Sequence, residues 1–284
     1  MKTDRSFKYF SLITIWFWLF LFALLPFCLV IAASVLSPDA ENLVQLPLTL
    51  SHYQELNHPV YFRIFEKSFY IAGISTFLCL LLGYPFAYTL ARMQSRWKNM
   101  LLLLVIIPFW TSSLIRSYAL IAIIKAKGIL NTVLLAMGMI DQPLSILFTN
   151  YAVVIGLVYN LLPFMILPIM TNVERLDDSL IDAAHDLGAN KITTFRRVII
   201  PLTLPGIIAG SILVFLPAMT MFYIPDILGG AKSILLGNLI QNQFLMSGNW
   251  PMGSAVSTML TVILISLILI YVWATRRTKK REWL

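Results

Sequence analysis

Long uncharged stretches separated by short polar segments dominate the sequence. Six of them are long enough to be membrane-spanning helices, because a helix needs about 20 residues to cross about 30 Å of hydrocarbon. These stretches cover residues 9–35, 68–91, 100–124, 151–173, 204–228 and 252–275. Within them only Arg116 and Asp226 carry a formal charge, although the chain has 21 basic and 13 acidic residues. The pattern predicts an all-α membrane protein with six transmembrane helices in a single domain over residues 1–284.

A seventh apolar run covers residues 129–140 and lies between Lys127-Gly128 and Asp141-Gln142-Pro143. Its 12 residues are too few to cross the hydrocarbon core. We therefore expect an interfacial or re-entrant helix there.

Composition supports the membrane class, since 59% of the residues are hydrophobic, 12% are charged and the mean hydropathy is +0.82. A soluble domain carries about 25% charged residues. The net charge of +8 could suggest nucleic acid, but the distribution of basic residues indicates membrane orientation instead. Fifteen of the 21 lie before the first span, after the last, or in the connections after the second and fourth spans. Both termini are therefore predicted to be cytoplasmic, with the basic tail 276–281 as an anchor.

Several function classes lack their motifs. The chain has no Gly-Lys dipeptide, hence no phosphate-binding Walker A loop, and no His-Glu-x-x-His metal motif. The three histidines lie outside the predicted spans, so we expect no metal site and no cofactor in this chain. A secondary carrier would show intramembrane ion-coupling residues, and a structural subunit would not need kinked spans or a docking loop. An enzyme is not indicated, whereas these two alternatives remain open.

The connection 174–203 is long, mixed in charge and predicted to be cytoplasmic. Ser179-Leu180-Ile181-Asp182 has capping-box form for a first short helix, which Gly188 would end at the C′ position. A second, basic helix is predicted from Lys191 to Ile200, with Pro201 stopping it. Such a pair suits a groove on another protein, although an amphipathic segment lying on lipid headgroups fits the same pattern.

One stretch of this connection reads Asp182-Ala183-Ala184-His185-Asp186-Leu187-Gly188, then nine residues, then Val198-Ile199-Ile200-Pro201. It resembles the EAA loop of ABC importer permeases. The family pattern is Glu-Ala-Ala, three residues, Gly, nine residues, Ile-x-Leu-Pro, so the spacing is intact and the replacements are mild. In that family the loop docks into a cleft on the ATPase subunit. The resemblance implies a coupling role for Asp182, Ala183, Ala184, Asp186, Gly188 and Pro201, with ATP and Mg bound by the partner ATPase.

Segments 84–87, 108–116 and 156–165 are similar to spermidine/putrescine permeases of the B type, and the similarity covers nearly the whole chain. It implies the type I ABC importer permease fold in a bacterial inner membrane. The implied partners are a related C-type permease, two copies of an ATPase, and a periplasmic polyamine-binding protein. Permeases for other small cations or iron chelates share the fold and the loop.

Asp226 is the only acidic residue in any predicted span, and Phe222 and Tyr223 share its helix face at i, i+4 and i, i+3 spacing. A carboxylate with two aromatic rings can bind a cation through charge-assisted and cation–π contacts. With Trp110 and Asn160, from the segments that resemble polyamine permeases, these residues are the candidates for a substrate path. Asp226 could instead end the helix beside Pro225 or pair with Arg116.

The orientation prediction is testable with single cysteines. Cysteines in the connections 36–67 and 229–250 should react with an impermeant thiol reagent from outside the cell, because basic residues concentrate on the opposite side. Cysteines near residues 95 and 190 should react only after permeabilisation. The opposite labelling pattern would contradict the predicted topology.

Overall fold

The computed structural model describes residues 3–39, 43–230 and 233–281. Lys2 and Lys232, two of the basic residues used to predict orientation, lie outside these ranges. The described chain is mainly helical, with a short antiparallel hairpin that the hydropathy pattern did not predict. The elements are α1 (Thr3–Leu19), a π-helical turn (Phe20–Leu24), α2 (Leu25–Ala33), β1 (Leu36–Asp39), β2 (Leu43–Leu48), α3 (Ser51–Glu55), α4 (Pro59–Ala91), α5 (Ser95–Ile106), a 3₁₀ turn (Ile107–Trp110), α6 (Ser113–Ile124), α7 (Ile129–Ala136), α8 (Asn150–Glu174), α9 (Asp178–Asp186), α10 (Lys191–Thr194), a π turn (Phe195–Ile199), α11 (Ile200–Thr220), a π turn (Pro225–Gly229), α12 (Leu236–Gln241), a π turn (Asn242–Met246) and α13 (Trp250–Arg281).

Six helical stretches within the described residues are long and apolar enough to cross a membrane, as predicted. They are Phe7–Ala33, Pro59–Ala91, Ser113–Ala136, Asn150–Glu174, Lys191–Thr220 and Trp250–Leu269. The third and fifth stretches differ most from the sequence interpretation.

The continuous third span expected over 100–124 is wrong, because the structure divides it into α5 and α6. Pro108 has no N–H to pair with the carbonyl of Leu104, and its ring crowds that carbonyl. The chain therefore tightens into the 3₁₀ turn Ile107–Trp110 and then extends at Thr111, whose φ and ψ are −96° and 147°. The third apolar stretch begins at Ser113 and includes α7, which occupies much of the predicted interfacial run.

The predicted stop at Pro201 is also wrong, because the helix runs without a break from Lys191 to Thr220. In the π turn before Pro201, the N–H of Ile200 donates to the carbonyl of Phe195, five residues back. A π turn leaves one carbonyl of the helical ladder without a donor, so a proline that brings no N–H fits directly after it. Residues 191–203 of this connection and the fifth apolar helix are thus one continuous helix.

Residues 1–63 and 239–284 form one compact unit. In it β1 pairs antiparallel with β2, and the Thr49 N–H donates to the Val35 carbonyl at 2.7 Å. The buried Ser34 hydroxyl lies 2.8 Å from the Tyr53 hydroxyl, which connects the end of α2 to α3. An apolar cavity of about 310 Å³ lies among α2, the hairpin and the start of α13.

Residues 64–238 form the second unit. Its core is centred on α8, where Leu157, Leu161, Met165 and Ile169 are almost fully buried. The main partner of α8 is α11. The two helices approach closely at Gly206 and Gly210 of α11. A Cβ on Gly206 would lie 2.8 Å from the Pro168 carbonyl oxygen. Small residues four apart are a common device for such contacts in membranes.

We predict that Gly206→Ala destabilises the protein by about 1–3 kcal/mol, the usual cost of overpacking, because the new methyl group meets fixed backbone. Gly210→Ala should cost less, since the nearest atom is the flexible Sδ of Met165, at 2.8 Å. The matched control is Gly73→Ala in α4, where a Cβ has no neighbour within 4 Å. Thermal unfolding of the detergent-purified variants measures all three, and equal stability of Gly206→Ala and Gly73→Ala would contradict the packing argument.

Candidate functional site

Helix α9 forms the centre of the predicted coupling loop, which we define as residues 174–203. Asp177 is the N-cap of α9, and the Asp177 carboxylate accepts a hydrogen bond from the Ser179 N–H at 3.0 Å. The predicted capping box at Ser179 is therefore wrong: the helix begins earlier, because an aspartate at N-cap satisfies a free N–H of the first turn.

The hydrogen bonds from Ser179 hold the pKa of the exposed Asp177 carboxyl below its usual value. A carboxyl whose pKa is lowered on folding stabilises the helix while it is charged, and that stabilisation is lost as the pH falls through the folded-state pKa. The cap is consequently charged at neutral pH.

Gly188 ends α9 as predicted, with φ of +81°. Its N–H donates to the His185 carbonyl at 2.8 Å, and the Ala189 N–H donates to the Ala184 carbonyl at 3.0 Å. These two bonds form the Schellman motif, which needs a residue in the left-handed conformation at C′. Glycine adopts that conformation without the strain a Cβ would add.

No residue of α9 is buried. Asp182, Ala183 and Asp186 are exposed, Ala184 is half-buried, and Pro201 further along the loop is exposed. Leu187, directly after the helix, is 88% exposed. The loop thus presents a capped helix with apolar and acidic side chains that this chain leaves uncovered.

Asn190 caps the second half of the loop, its side-chain oxygen accepting from the Thr193 N–H at 2.8 Å. From there the helix continues through the π turn into α11. Any displacement of α9 therefore reaches α11 through only a few loop residues, 187–190.

One face of α4 holds this loop at several points. The Tyr84 hydroxyl lies 2.9 Å from the Thr203 hydroxyl in a buried hydrogen bond. The Phe195 ring stands edge-on to the rings of Tyr84 and Tyr88, with centroid distances of 5.7 and 6.4 Å. One turn further on, Arg92 lies over the Tyr88 ring at 5.9 Å.

Arg92 also forms an ion pair with Asp178, the first residue of α9. A second ion pair, between Lys98 Nζ and Glu174 Oε1 at 2.6 Å, joins the start of α5 to the end of α8. The two pairs therefore join the end of α4 to the start of α9 and the start of α5 to the end of α8.

The sequence analysis placed the candidate substrate residues Phe222, Tyr223 and Asp226 on the fifth membrane helix. In the structure they lie beyond the end of that helix. The main helix ends at Thr220, and Met221 is extended. Pro225 explains the break, since it offers no N–H to the Met221 carbonyl and crowds it. We call residues 222–229 the Asp226 turn.

The expected spacing survives locally within the Asp226 turn, where the Asp226 N–H donates to the Phe222 carbonyl at 3.2 Å. The rings of Phe222 and Tyr223 are perpendicular, with centroids 6.0 Å apart. Asp226 is exposed and Phe222 is 43% exposed. A carboxylate beside two aromatic rings can bind an organic cation.

Asn238 holds the Asp226 turn in shape, and the sequence interpretation missed it. Its amide nitrogen donates to the Phe222 carbonyl at 2.7 Å and to the Asp226 carboxylate, while its oxygen accepts from the Leu235 N–H at 3.1 Å. A single asparagine gives no sequence signal for this role.

The alternative pairing of Asp226 with Arg116 is contradicted within the described residues, where no ion pair joins them. The Arg116 guanidinium lies instead over the rings of Phe109 and Tyr159, at 5.7 and 6.0 Å. Aromatic faces attract a cation when acids are absent.

Among the described residues, no hydrogen bond or aromatic ring contact joins Trp110 or Asn160 to the Asp226 turn. Trp110 is 80% exposed at the end of the 3₁₀ turn. Asn160 is 2% exposed, and its amide donates to the Gly156 carbonyl one turn earlier in α8. The turn reaches α8 near that point through Ile224 and Leu228, which fill the space beside Gly156.

Two solved structures share this fold along nearly the whole chain. One is a bacterial ABC transporter involved in the import of the acidic polysaccharide alginate, with a TM-score of 0.73 and 16% identity over 97% of this chain and 96% of that chain. The other is a bacterial alginate ABC transporter in complex with an alginate pentasaccharide-bound periplasmic protein, with a TM-score of 0.76 and 15% identity over 98% and 96%. The molecule therefore has the fold of an ABC importer permease, which confirms the predicted fold class.

Sequence comparison gives the family. The family of binding-protein-dependent transport system inner membrane components matches residues 80–282. The spermidine/putrescine transport system permease protein PotB of Haemophilus influenzae is 48% identical over 98% of this chain and 97% of its own length. Its Escherichia coli K12 counterpart is 48% identical over 95% and 98%, and the E. coli inner membrane ABC transporter permease protein YdcU is 33% identical over 79% and 75%.

The chain belongs to the family of binding-protein-dependent transport system inner membrane components. It is a multi-pass protein of the bacterial inner membrane. The prediction of a transport subunit, with no enzymatic role, is confirmed by this membership.

Proposed function

We propose that this chain is the permease subunit of an ATP-driven polyamine importer and forms half of the path for spermidine or putrescine. The observation that carries the proposal is the uncovered, capped helix α9, which residues 187–190 join to the membrane helix 191–220 within the loop that resembles the EAA motif. Such a helix suits a cleft on a separate ATPase. The names of the relatives that are 48% identical support polyamines as the substrate.

The assembly we propose contains a related C-type permease, two ATPase subunits that bind ATP and Mg, and a periplasmic polyamine-binding protein. Both termini and the coupling loop then face the cytoplasm, on the side that holds most of the basic residues. The Asp226 turn lies at the opposite end of α11, so it faces the periplasmic side. Within it the carboxylate and the rings of Phe222 and Tyr223 would contact the cation, and Trp110 and Asn160 would line other parts of the path.

The proposal is tested by reconstituting the whole transporter in proteoliposomes and measuring uptake of labelled spermidine and putrescine with and without ATP. We expect uptake that needs both ATP and the binding protein. Uptake driven by an ion gradient without ATP would indicate a secondary carrier. ATP-dependent uptake of an iron chelate or another cation, with no polyamine uptake, would leave the permease role and overturn the substrate.

Gly188→Val should reduce ATP-coupled uptake about fivefold or more without lowering the amount of permease in the membrane. The left-handed conformation costs an L-residue roughly 1–2 kcal/mol, and the Cβ has no neighbour within 4 Å, so backbone strain is the direct effect. Gly138→Val is the matched control, since Gly138 has φ of +67° and equally open space in a loop outside the coupling loop. Normal uptake and normal ATPase stimulation by Gly188→Val would remove the coupling role.

Asp226→Asn should lower polyamine uptake roughly tenfold at low substrate concentration, the usual effect of losing one charge-assisted contact. The asparagine oxygen can still accept from Asn238, so the fold of the turn is kept. Asp141→Asn, which neutralises an exposed acid in another connection, serves as the control. Labelled-polyamine uptake is normalised to assembled complex, and wild-type uptake by Asp226→Asn would exclude the carboxylate from the path.

A further inference from the structure

The coupling loop and the Asp226 turn lie at opposite ends of α11. The coupling loop is hydrogen-bonded to α4 directly, and the Asp226 turn is linked to α4 through α12. Near its last turn, α4 presents Tyr84, Tyr88 and Arg92, which are four residues apart and so share one helix face. Although α4 ends at Ala91, the Arg92 N–H still donates to the Tyr88 carbonyl at 3.2 Å. This face contacts the coupling loop at Thr203, Phe195 and Asp178.

The direction of the Tyr84–Thr203 bond follows from the second contact of Thr203. The Thr203 hydroxyl donates its single hydrogen to the Ile199 carbonyl at 2.9 Å. With that hydrogen used, we assign Tyr84 as the donor to Thr203. Tyr84 is 8% exposed, so loss of the Thr203 oxygen would leave the phenol buried without an acceptor, whereas loss of the Tyr84 hydroxyl would leave Thr203 satisfied.

Only part of the Arg92 guanidinium is paired. One guanidinium nitrogen binds Asp178, while Nε and Nη2 are shielded and have no hydrogen-bond partner. The pair with Asp178 and the stacking on Tyr88 together fix the guanidinium. The first turn of α9 is thereby attached to the end of α4.

At its other end, α4 contacts the element that shapes the Asp226 turn. The fully buried Ser68 hydroxyl donates to the Ile64 carbonyl at 2.7 Å and accepts from the Leu236 N–H at 2.9 Å. Leu236 begins α12, which carries Asn238, the residue that binds both the Phe222 carbonyl and Asp226. Ser68 and Tyr84 lie about 24 Å apart along the axis, at about 1.5 Å per helical residue.

We infer that α4 carries motion of the coupling loop to the Asp226 turn, with Tyr84, Tyr88 and Arg92 as positioning residues at one end and Ser68 at the other. The inference rests on the proposed function and adds a second route beside α11. A helix is stiff along its axis, because its backbone hydrogen bonds repeat along it. When the ATPase displaces α9 and the π turn Phe195–Ile199, α4 moves with them and shifts α12 through Ser68. The carboxylate of Asp226 is then repositioned together with Asn238.

The test uses the reconstituted complex and measures polyamine imported per ATP hydrolysed, a ratio that a change in protein abundance alone does not alter. Tyr84→Phe and Thr203→Val should each lower this ratio about two- to tenfold, the range expected for one hydrogen bond. Thr203→Val should also reduce assembled complex, because it strands the buried phenol. The double variant should restore assembly and keep the low ratio.

Conservative variants separate positioning from folding. Tyr88→Phe keeps the ring and should match the wild type, whereas Tyr88→Leu should lower the ratio. Arg92→Asp should lower it, and adding Asp178→Arg should recover part of the loss. Tyr70→Phe, at an exposed position on α4, and Arg96→Asp, at an exposed position in the first turn of α5, are the controls and should leave the ratio unchanged.

Combining Tyr84→Phe with Ser68→Ala tests whether the two ends communicate. Substitutions more than about 10 Å apart normally have additive effects. If α4 carries the motion, the double variant should be no worse than the more severe single variant. Additive effects, or a wild-type ratio in Tyr84→Phe while Gly188→Val is uncoupled, would overturn the role of α4 and leave the coupling loop intact. Absence of ATP-dependent polyamine uptake by the wild-type complex would instead overturn the proposed function itself.

Discussion

The close approach of α8 and α11 at Gly206 and Gly210 is the contact on which the rest of the second unit depends. Without side chains at these positions the two backbones can meet, and Met165 and Pro168 fill the space that remains. In lipid no hydrophobic effect drives helices together, so association relies on such close packing and on hydrogen bonds between helices. Because α8 and α11 flank the coupling loop, their packing also fixes where α9 emerges.

Proline and π turns explain how rigid helices are combined with breaks at defined places. At Pro201 a π turn precedes the proline and the helix continues, so the coupling loop is joined stiffly to α11. At Pro225 no such turn precedes the proline, and the helix ends at Thr220. The same residue type therefore lies within a continuous helix at the start of α11 and within a separate turn after its end.

Several buried polar side chains of this unit form hydrogen bonds with the backbone or with another side chain. Ser68 and Thr203 donate to carbonyls of their own helices and accept from another segment, whereas Asn238 binds three groups at once. In a low-dielectric surrounding such bonds are strong and their loss is costly. They therefore give a bundle of apolar helices defined contacts through which a movement can pass.

The sequence alone determined the six apolar helices, the glycine that ends α9 and the spacing of the coupling loop. Each of these depends on hydrophobic length or on backbone sterics among near neighbours, which a linear pattern records. The prolines at the helix breaks, Pro108 and Pro225, can be read in the sequence. Pro201 shows that a proline alone does not tell whether a helix ends, because the helix continues through it. Only the tertiary structure paired Tyr84 with Thr203 and Ser68 with Leu236, at separations of 119 and 168 residues. It also showed that Asp226 is hydrogen-bonded to Asn238 and that Arg116 lies over aromatic rings. Contacts between distant residues depend on how the helices pack, and no local periodicity of the sequence encodes that packing.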